Sequence, residues 1–126
     1  MGWSTGAETA LGTIDAASWA AGKQKDRFVA AVAIYPWCDG VGQFFSPALI
    51  IPGELDDITR ASNCERLVKS VPLNLSVPVL EIMPGAYHWF DMLHPPVQTF
   101  DATYEYNAKA TEATVNHVRS FLEGIF

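Results

Sequence analysis

The chain has 126 residues, of which 49% are hydrophobic and 17% are charged, which is typical of one globular domain with a hydrophobic core and excludes a disordered chain. Its formal net charge is −6, with only 8 Lys and Arg residues, and this argues against nucleic acid or an anionic membrane surface as a partner. No run of about 18 apolar residues, the length that spans a bilayer, predicts a transmembrane helix.

The first predicted element is a tight turn around Ser4. The segment Gly2-Trp3-Ser4-Thr5-Gly6 has the pattern G-x-S-x-G, which places a serine between a strand and a helix with its hydroxyl exposed above a sheet. The chain begins where the strand before this turn is expected. We therefore expect Met1 to be an internal methionine and residues 1–126 to be the C-terminal part of a single domain of roughly 200–250 residues.

Beyond this turn, the sequence predicts alternating helices and strands. Strong helix formers predict a helix from Thr5 to about Ala21, ended by Gly22. Three continuous apolar runs predict strands that are covered on both faces, as in a parallel sheet. Together they predict an α/β fold with a parallel sheet of about three strands flanked by helices. The three runs are Phe28–Tyr35, Ala48–Ile51 and Val77–Met83.

Two more helices and a long loop complete the predicted elements. The helices extend from about Thr59 to Ser70 and roughly from Asn107 to Leu122. A loop rich in aromatic residues and proline is predicted from Pro84 to about Thr103. Each helix has a predicted apolar face: Ala61, Cys64, Leu67 and Val68 in the first, and Ala108, Val115, Val118 and Leu122 in the second.

The two cysteines, Cys38 and Cys64, are too few for a disulfide framework. The first interpretation is that each is a small buried apolar residue. The alternative is a single bridge between them, which would imply an oxidising compartment. Neither belongs to a close pair of cysteines, so a zinc site is not expected. Two localisations stay open: cytoplasmic, or periplasmic or secreted.

Three residues suited to acyl-transfer chemistry follow the predicted turn and strands. A serine hydroxyl needs a base to remove its proton and a third group to orient that base. The α/β-hydrolase arrangement supplies these at strand ends in the order Ser, Asp, His, and the chain has Ser4, Asp56 and His88. Taken singly, they are interpreted as a helix cap, a turn residue and a structural loop histidine. Together they predict a catalytic triad, with Asp57 as the rival for the acid.

Four stretches that cover most of the chain resemble one enzyme family: Gly2–Gly6; Ala31–Cys38; Leu49–Asp57 with Cys64; and Pro84–Asp91, the most specific of them. In these stretches the chain resembles the C-terminal half of the dienelactone hydrolase family, within the α/β-hydrolase superfamily. The resemblance implies a partial α/β-hydrolase fold whose N-terminal half is missing. It also implies that Ser4 is the nucleophile, Asp56 the acid and His88 the base.

The chain departs from this family in three ways. The enzyme that names the family has a cysteine nucleophile where this chain has Ser4, so the dienelactone substrate is not carried over. The family's Trp-Thr-Pro after the acid doublet is Ile58-Thr59-Arg60 here. The N-terminal half, which would supply one amide of the oxyanion hole, is absent, and the loss of one such donor typically lowers kcat about 10²–10³-fold.

The remaining site residues are predicted from their positions next to the triad. The backbone N–H of Thr5 follows the nucleophile at a helix N-terminus and is the expected oxyanion donor. Four aromatic residues flank the triad in sequence and are predicted to line an acyl or alcohol pocket, with packing in the core as the alternative. They are Trp3, Trp37, Tyr87 and Trp89.

The predicted function is hydrolysis of a carboxylic ester or lactone, a small-molecule substrate, through an acyl-enzyme on Ser4. No metal or cofactor is expected, because Asp91 and His94 near His88 have no strong ligand spacing. The alternative is a non-catalytic truncated module that binds or pairs through its exposed sheet edge, or an inert fragment. An unpaired edge strand favours self-association, and the chain alone is expected to have reduced activity or none.

Overall fold

The computed structural model describes residues 1–18, 26–40 and 42–126. Within these ranges, no helix is long and apolar enough to cross a membrane. The helices there are α1 (Thr5–Gly12), α2 (Ala61–Ser70) and α3 (Ala108–Glu123), and the strands are β1 (Gly2–Trp3), β2 (Ala31–Ile34), β3 (Ala48–Ile51), β4 (Val79–Leu80), β5 (Val97–Gln98) and β6 (Thr103–Tyr104).

Strands β1 to β4 form one parallel sheet in chain order. β2 and β3 lie at its centre, and every residue of both strands is buried, as their continuous apolar runs predict. The parallel α/β arrangement is therefore confirmed. The sheet has four strands rather than about three, because Gly2 and Trp3 pair with Ala33 and Ile34 of β2.

Helices cover both faces of this sheet. Leu11 of α1 and Leu67 of α2 join the core cluster around Ile50, whereas Ala110 of α3 joins the cluster around Leu49. Neighbouring side chains on a strand point to opposite faces, which places α1 and α2 on one side and α3 on the other. Since the strands are parallel, their carboxyl ends meet at one edge, where the loops leave the sheet.

The first helix is shorter than predicted. α1 ends at Gly12, because the chain then turns to form a β-bridge between Asp15 and Phe44. Residues 19–25, which include the predicted stop at Gly22, lie outside the described residues.

The predicted strand bounds are right for β3 and too long for its neighbours. Phe28 and Val29 are 55% and 58% exposed, so pairing in β2 begins only at Ala31. β4 is limited to Val79–Leu80, although Met83 rejoins the sheet through a bridge to Gly53.

The predicted apolar face of the last helix is right only for Val118, which packs against the core. Ala110 and Thr114 are the residues of α3 that are buried, whereas Val115 is half exposed. The first turn is anchored through Asn107, whose N–H donates to the carbonyl of Phe90 and whose side chain accepts from the N–H of Ala110. This anchor turns the Ala110 face toward the sheet. The other residues of the predicted face are exposed: Ala108, Val115 and Leu122.

Part of the predicted loop from Pro84 to Thr103 is a β-hairpin. β5 and β6 pair in an antiparallel manner, with Val97 opposite Tyr104 and Gln98 opposite Thr103. The turn is closed by the N–H of Thr99, which donates to the carbonyl of Ala102. Each strand has only two residues, too few for the alternation that identifies a strand in a sequence.

The two cysteines form a disulfide bond. The alternative interpretation of these residues is therefore the correct one, although both are also buried in the core as the first interpretation holds. The bond links the loop after β2, which contains Cys38, to Cys64 in α2. The bond holds α2 against the loop that leaves the carboxyl end of β2.

Two glycines in the G-x-S-x-G turn allow a matched test of the fold. A Cβ atom at Gly2 would lie 2.0 Å from the carbonyl oxygen of Gly6, whereas a Cβ atom at Gly6 would meet nothing within 4 Å. We expect Gly2→Ala to lower the free energy of unfolding by about 2 kcal/mol through overpacking.

Gly6→Ala is the control, and we expect it to leave stability unchanged or to raise it by up to about 1 kcal/mol, because alanine favours helix more than glycine does. Urea denaturation followed by circular dichroism measures both variants. Equal destabilisation by the two substitutions would contradict the close approach at Gly2.

Candidate active site

Ser4 lies on a strained turn between β1 and α1. Its backbone has φ 50° and ψ −122°, a conformation that residues with a side chain rarely adopt. The turn is held because the N–H of Ser4 donates to the carbonyl of Ile34, and its own carbonyl accepts from the N–H of Ala7. The strand–turn–helix predicted from the G-x-S-x-G pattern is therefore present, with Ser4 at its apex.

The structure brings together Ser4, Asp56 and His88, the three residues predicted as a triad. The Oγ of Ser4 lies 3.1 Å from Nε2 of His88. The Nδ1 of His88 lies 2.7 Å from Oδ2 of Asp56. The histidine is 2% exposed and the aspartate 4% exposed. These residues follow β1, β3 and β4, so the convergence of parallel strand ends places them side by side.

The partners of the imidazole assign its protons. An ionised carboxylate can only accept hydrogen bonds, so Nδ1 of His88 must donate to Asp56. In the neutral imidazole, Nε2 then carries a lone pair. Because Nε2 faces Ser4, the serine hydroxyl donates to it. This is the arrangement in which a histidine acts as a general base.

The Asp56 carboxylate has four hydrogen-bond donors around it. Oδ1 accepts from the backbone N–H groups of Ile58 and Thr59, at 2.9 and 2.7 Å. Oδ2 accepts from His88 and from the hydroxyl of Thr59, both at 2.7 Å. A carboxylate offers about four lone-pair directions, so all of them are used. The carboxylate is thus fixed in the orientation that His88 requires.

Thr59 is a site residue that the sequence analysis did not assign. It is 1% exposed, and its hydroxyl also lies 3.2 Å from Nδ1 of His88 and 3.1 Å from the carbonyl of Tyr35. The sequence holds one signal for it: a threonine three residues after an aspartate and just before a helix is a common turn motif. That motif alone does not reveal the contact with His88.

Asp57, the rival for the acid, does not contact the imidazole ring in this way. It is exposed, and its carboxylate accepts from the N–H of Thr103 at 3.0 Å. Slight burial pushes the pKa of the Asp57 carboxyl upward, but the hydrogen bonds with Thr103, a hydrogen bond to its own backbone and the nearby His88 together lower the pKa. Asp57 therefore anchors the β5–β6 hairpin beside the triad.

Asp91 joins three parts of the site, and we call the group Asp91, Trp3 and Tyr35 the Asp91 clamp. Its carboxylate accepts from the indole N–H of Trp3 at 2.7 Å and from the hydroxyl of Tyr35 at 2.8 Å. The ring of Tyr35 lies 4.7 Å from the His88 ring, between centroids. The clamp thus connects the turn before Ser4, the end of β2 and the loop after His88.

No group of three or more His, Cys, Asp or Glu side chains is placed to hold a metal ion within residues 1–18, 26–40 and 42–126. Asp91 is occupied by its two donors. Nδ1 of His94 donates to the carbonyl of Pro95.

Burial of Tyr35, its hydrogen bond to Asp91 and the negative charges of Asp91 and Asp56 all raise the pKa of this phenol far above its ordinary value. The hydroxyl therefore stays protonated, and stays a donor, at any physiological pH. Tyr35 also has a positive φ of 41°, so the clamp holds a strained residue.

This raised pKa predicts a dependence of stability on alkaline pH. A group whose pKa is raised by folding stabilises the protein fully below its unfolded pKa, here about 10, and this stabilisation is lost as the pH rises above that value. We expect the free energy of unfolding of the native chain to fall relative to that of Tyr35→Phe between about pH 10 and 11.5.

Urea denaturation at constant ionic strength measures this difference, with Tyr106→Phe as the control tyrosine outside the clamp. A difference between the native chain and Tyr35→Phe that stays constant across this pH range would contradict the prediction.

The other predicted site residues occupy different surroundings. Thr5 is the first residue of α1, so its N–H has no acceptor within the helix. Trp3 and Trp89 line two separate cavities. Trp37 is 44% exposed, and its backbone N–H donates to Glu8 of α1. Tyr87 is half-buried. Trp3 and Trp89, two of the four predicted pocket residues, thus line different cavities.

Comparison with known proteins gives no relative for this chain: no family model, no curated protein and no solved structure matches it. The resemblance to the dienelactone hydrolase family consequently remains an interpretation of its motifs. The geometry around Ser4 is therefore the basis for a functional proposal.

Proposed function

We propose that this protein is a serine hydrolase that cleaves a carboxylic ester or lactone. The observation that carries the proposal is the unbroken series of contacts from Oγ of Ser4 through the imidazole of His88 to the carboxylate of Asp56. The strained turn at Ser4 supports it, because such strain is concentrated at functional sites. The N–H of Thr5, which has no acceptor within α1, supports it as well.

In this proposal Ser4 attacks the carbonyl carbon while its proton passes to Nε2 of His88. The bond from Nδ1 to Asp56 stabilises the imidazolium that forms. The carbonyl oxygen becomes an oxyanion beside the N–H of Thr5 and the positive end of the helix dipole. The imidazolium then gives its proton to the leaving alcohol oxygen as the C–O bond breaks. This leaves an acyl group on Ser4, and water removes it through the same proton transfers.

We further propose that the chain is the C-terminal part of an α/β-hydrolase of the dienelactone hydrolase family. β1 is an edge strand, and grooves of about 370 and 280 Å³ flank it. Val115 and Val118 of α3 line the larger groove, and the space beside Gly6 is open. Further strands beside β1 would cover these surfaces, and a preceding loop would supply the second oxyanion donor.

The same open edge favours a second candidate function, a non-catalytic module that pairs through β1. Concentration-dependent dimerisation in analytical ultracentrifugation, together with the absence of any reaction at Ser4, would favour this candidate. The DNA sequence upstream of Met1 distinguishes a missing N-terminal half that would cover β1 from a module that pairs through β1. In-frame stop codons directly before Met1 would contradict a missing N-terminal half.

The triad is tested by the pre-steady-state release of p-nitrophenol from p-nitrophenyl acetate. We expect a burst approaching one equivalent per chain in a form that has both oxyanion donors, because an acyl-enzyme accumulates. With the donor at Thr5 alone, the burst phase should be about 10²–10³-fold slower. In Ser4→Ala we expect no burst and a loss of at least about 10³-fold in kcat/KM. Ser62→Ala, an exposed serine of α2, should behave as the native chain. The absence of a burst both here and in any longer form of the reading frame would refute the proposal.

Thr59 is proposed as a positioning residue that acts through Asp56. Thr59→Val keeps the shape of the side chain but removes the hydroxyl, so we expect kcat/KM to fall about 10–100-fold, the usual effect of losing a hydrogen bond to a charged group. Thr59→Ser keeps the hydroxyl and should retain activity within about threefold. If both variants lose activity equally, the hydroxyl is not what positions Asp56.

A further inference from the structure

An apolar cavity of about 380 Å³ lies next to the triad. Its walls come from two segments, the loop that follows His88 and the β5–β6 hairpin. The sequence predicts a loop here, and Trp89 is the one cavity residue that it predicts in a pocket. The lining residues are Trp89, His94, Pro95, Val97 and Tyr104.

Two aromatic walls of this cavity stand beside the imidazole. The ring centroids of Trp89 and Tyr104 lie 6.2 and 6.1 Å from that of His88, and the two walls lie 4.5 Å from each other. The backbone of His88 also pairs with that of Tyr104. The cavity therefore lies beside the imidazole that contacts Ser4, whose Oγ is 3.1 Å from Nε2 of His88. One end of a substrate can occupy the cavity while its carbonyl group reaches Ser4.

The backbone around the cavity is fixed. Trp89 has a positive φ of 58°, a conformation that a bulky residue keeps only when surrounding contacts hold it. The carbonyl of Trp89 accepts from the N–H of Met92. The hairpin is tied down by the bond from the N–H of Thr103 to Asp57. Both walls thus have a defined position before any ligand binds.

The chemistry of the lining disfavours an anionic ligand. No Lys, Arg, Asp or Glu side chain is among the lining residues, and Nδ1 of His94 already donates to the carbonyl of Pro95. With a net charge of −6 on the chain, an anionic substituent would find no partner here.

The volume of the cavity sets the size of the group that it can hold. A cavity of about 150 Å³ holds benzene, so one of about 380 Å³ has room for a fused bicyclic ring.

The side of the ester that the cavity receives follows from the position of His88. The imidazolium must give its proton to the leaving alcohol oxygen, which therefore lies within hydrogen-bond reach of Nε2. The alcohol portion of the substrate is consequently the part nearest the imidazole, and the rings of Trp89 and Tyr104 lie beside that imidazole.

We propose that this cavity binds the alcohol portion of an uncharged ester that carries an aromatic or bulky alicyclic group. The inference depends on the proposed hydrolase function and adds the substrate class to it. Apolar burial and stacking on Trp89 and Tyr104 supply the binding, and the absence of charged side chains in the lining supplies the selection against acidic esters.

The test compares phenyl acetate with 2-naphthyl acetate, whose leaving groups are of similar acidity. We expect kcat/KM to be about tenfold higher for the naphthyl ester, because the second ring is buried. Val97→Asp places a charge in the cavity and should abolish this preference. Gln98→Asp adds the same charge to the neighbouring position of β5, on the opposite face of the hairpin, and should keep it.

Two further arms complete the experiment. Methyl benzoate and methyl 2-naphthoate differ on the acyl side, and Val97→Asp should leave their ratio of kcat/KM unchanged. Val97→Phe fills the cavity without adding charge and serves if Val97→Asp does not fold. Binding is measured separately in Ser4→Ala by ¹H–¹⁵N NMR, where 2-naphthyl acetate should shift the indole N–H resonance of Trp89.

The outcomes separate this inference from the proposed function. Hydrolysis without a naphthyl preference, or with a preference that Val97→Asp and Val97→Phe leave intact, overturns the inference and leaves the hydrolase proposal standing. A shift at Trp89 without hydrolysis by the native chain or by any longer form of the reading frame supports the cavity as a binding site and counts against the hydrolase proposal. The absence of a shift, together with the absence of hydrolysis in all these forms, overturns both.

Discussion

The buried hydrogen bond between Asp56 and His88 is the interaction on which the site depends. It joins two loops that leave different strands, and both side chains are almost entirely removed from water. A buried carboxylate without partners would cost several kcal/mol. The fold tolerates this one because the turn through Ile58 and Thr59 supplies three more donors. The orientation of the imidazole toward Ser4 is a consequence of that local turn.

Strain is concentrated around this bond. Ser4, Tyr35 and Trp89 all have positive φ, and each such residue costs of order 1–3 kcal/mol. The compensating contacts are specific: the bond from Ser4 to β2, the two donors on Asp91, and the packing of Tyr35 against the imidazole. Strands β2 and β3, which are buried along their whole length, support these strained residues.

The sequence predicts the positions of the triad because parallel strands bring their carboxyl ends to one edge, so strand order is enough to place Ser4, Asp56 and His88 together. It does not predict the Asp91 clamp, since Trp3 and Asp91 are 88 residues apart and no local pattern links them. The two cysteines pose the same difficulty, because a bridge depends on proximity in space.

Two further differences arise where the local signal is ambiguous. The apolar residues of α3 permit more than one buried face, and the anchor of Asn107 on the loop after His88, rather than periodicity, selects the face with Ala110 and Thr114. The hairpin strands have two residues each, so their sequence has no period to detect. Both features are decided by contacts with the loop after β4.

The hairpin is attached to the site differently from the triad. It contacts the loops around the site through the bond to Asp57, the bridge to His88 and the rings that pack against Tyr104. Val97 and Phe100 are nevertheless exposed and lie outside the two core clusters. Exposed positions of this segment can therefore be substituted at little cost in stability. Sequence variation at Val97 would change the lining of the cavity while the contacts within the triad stay intact.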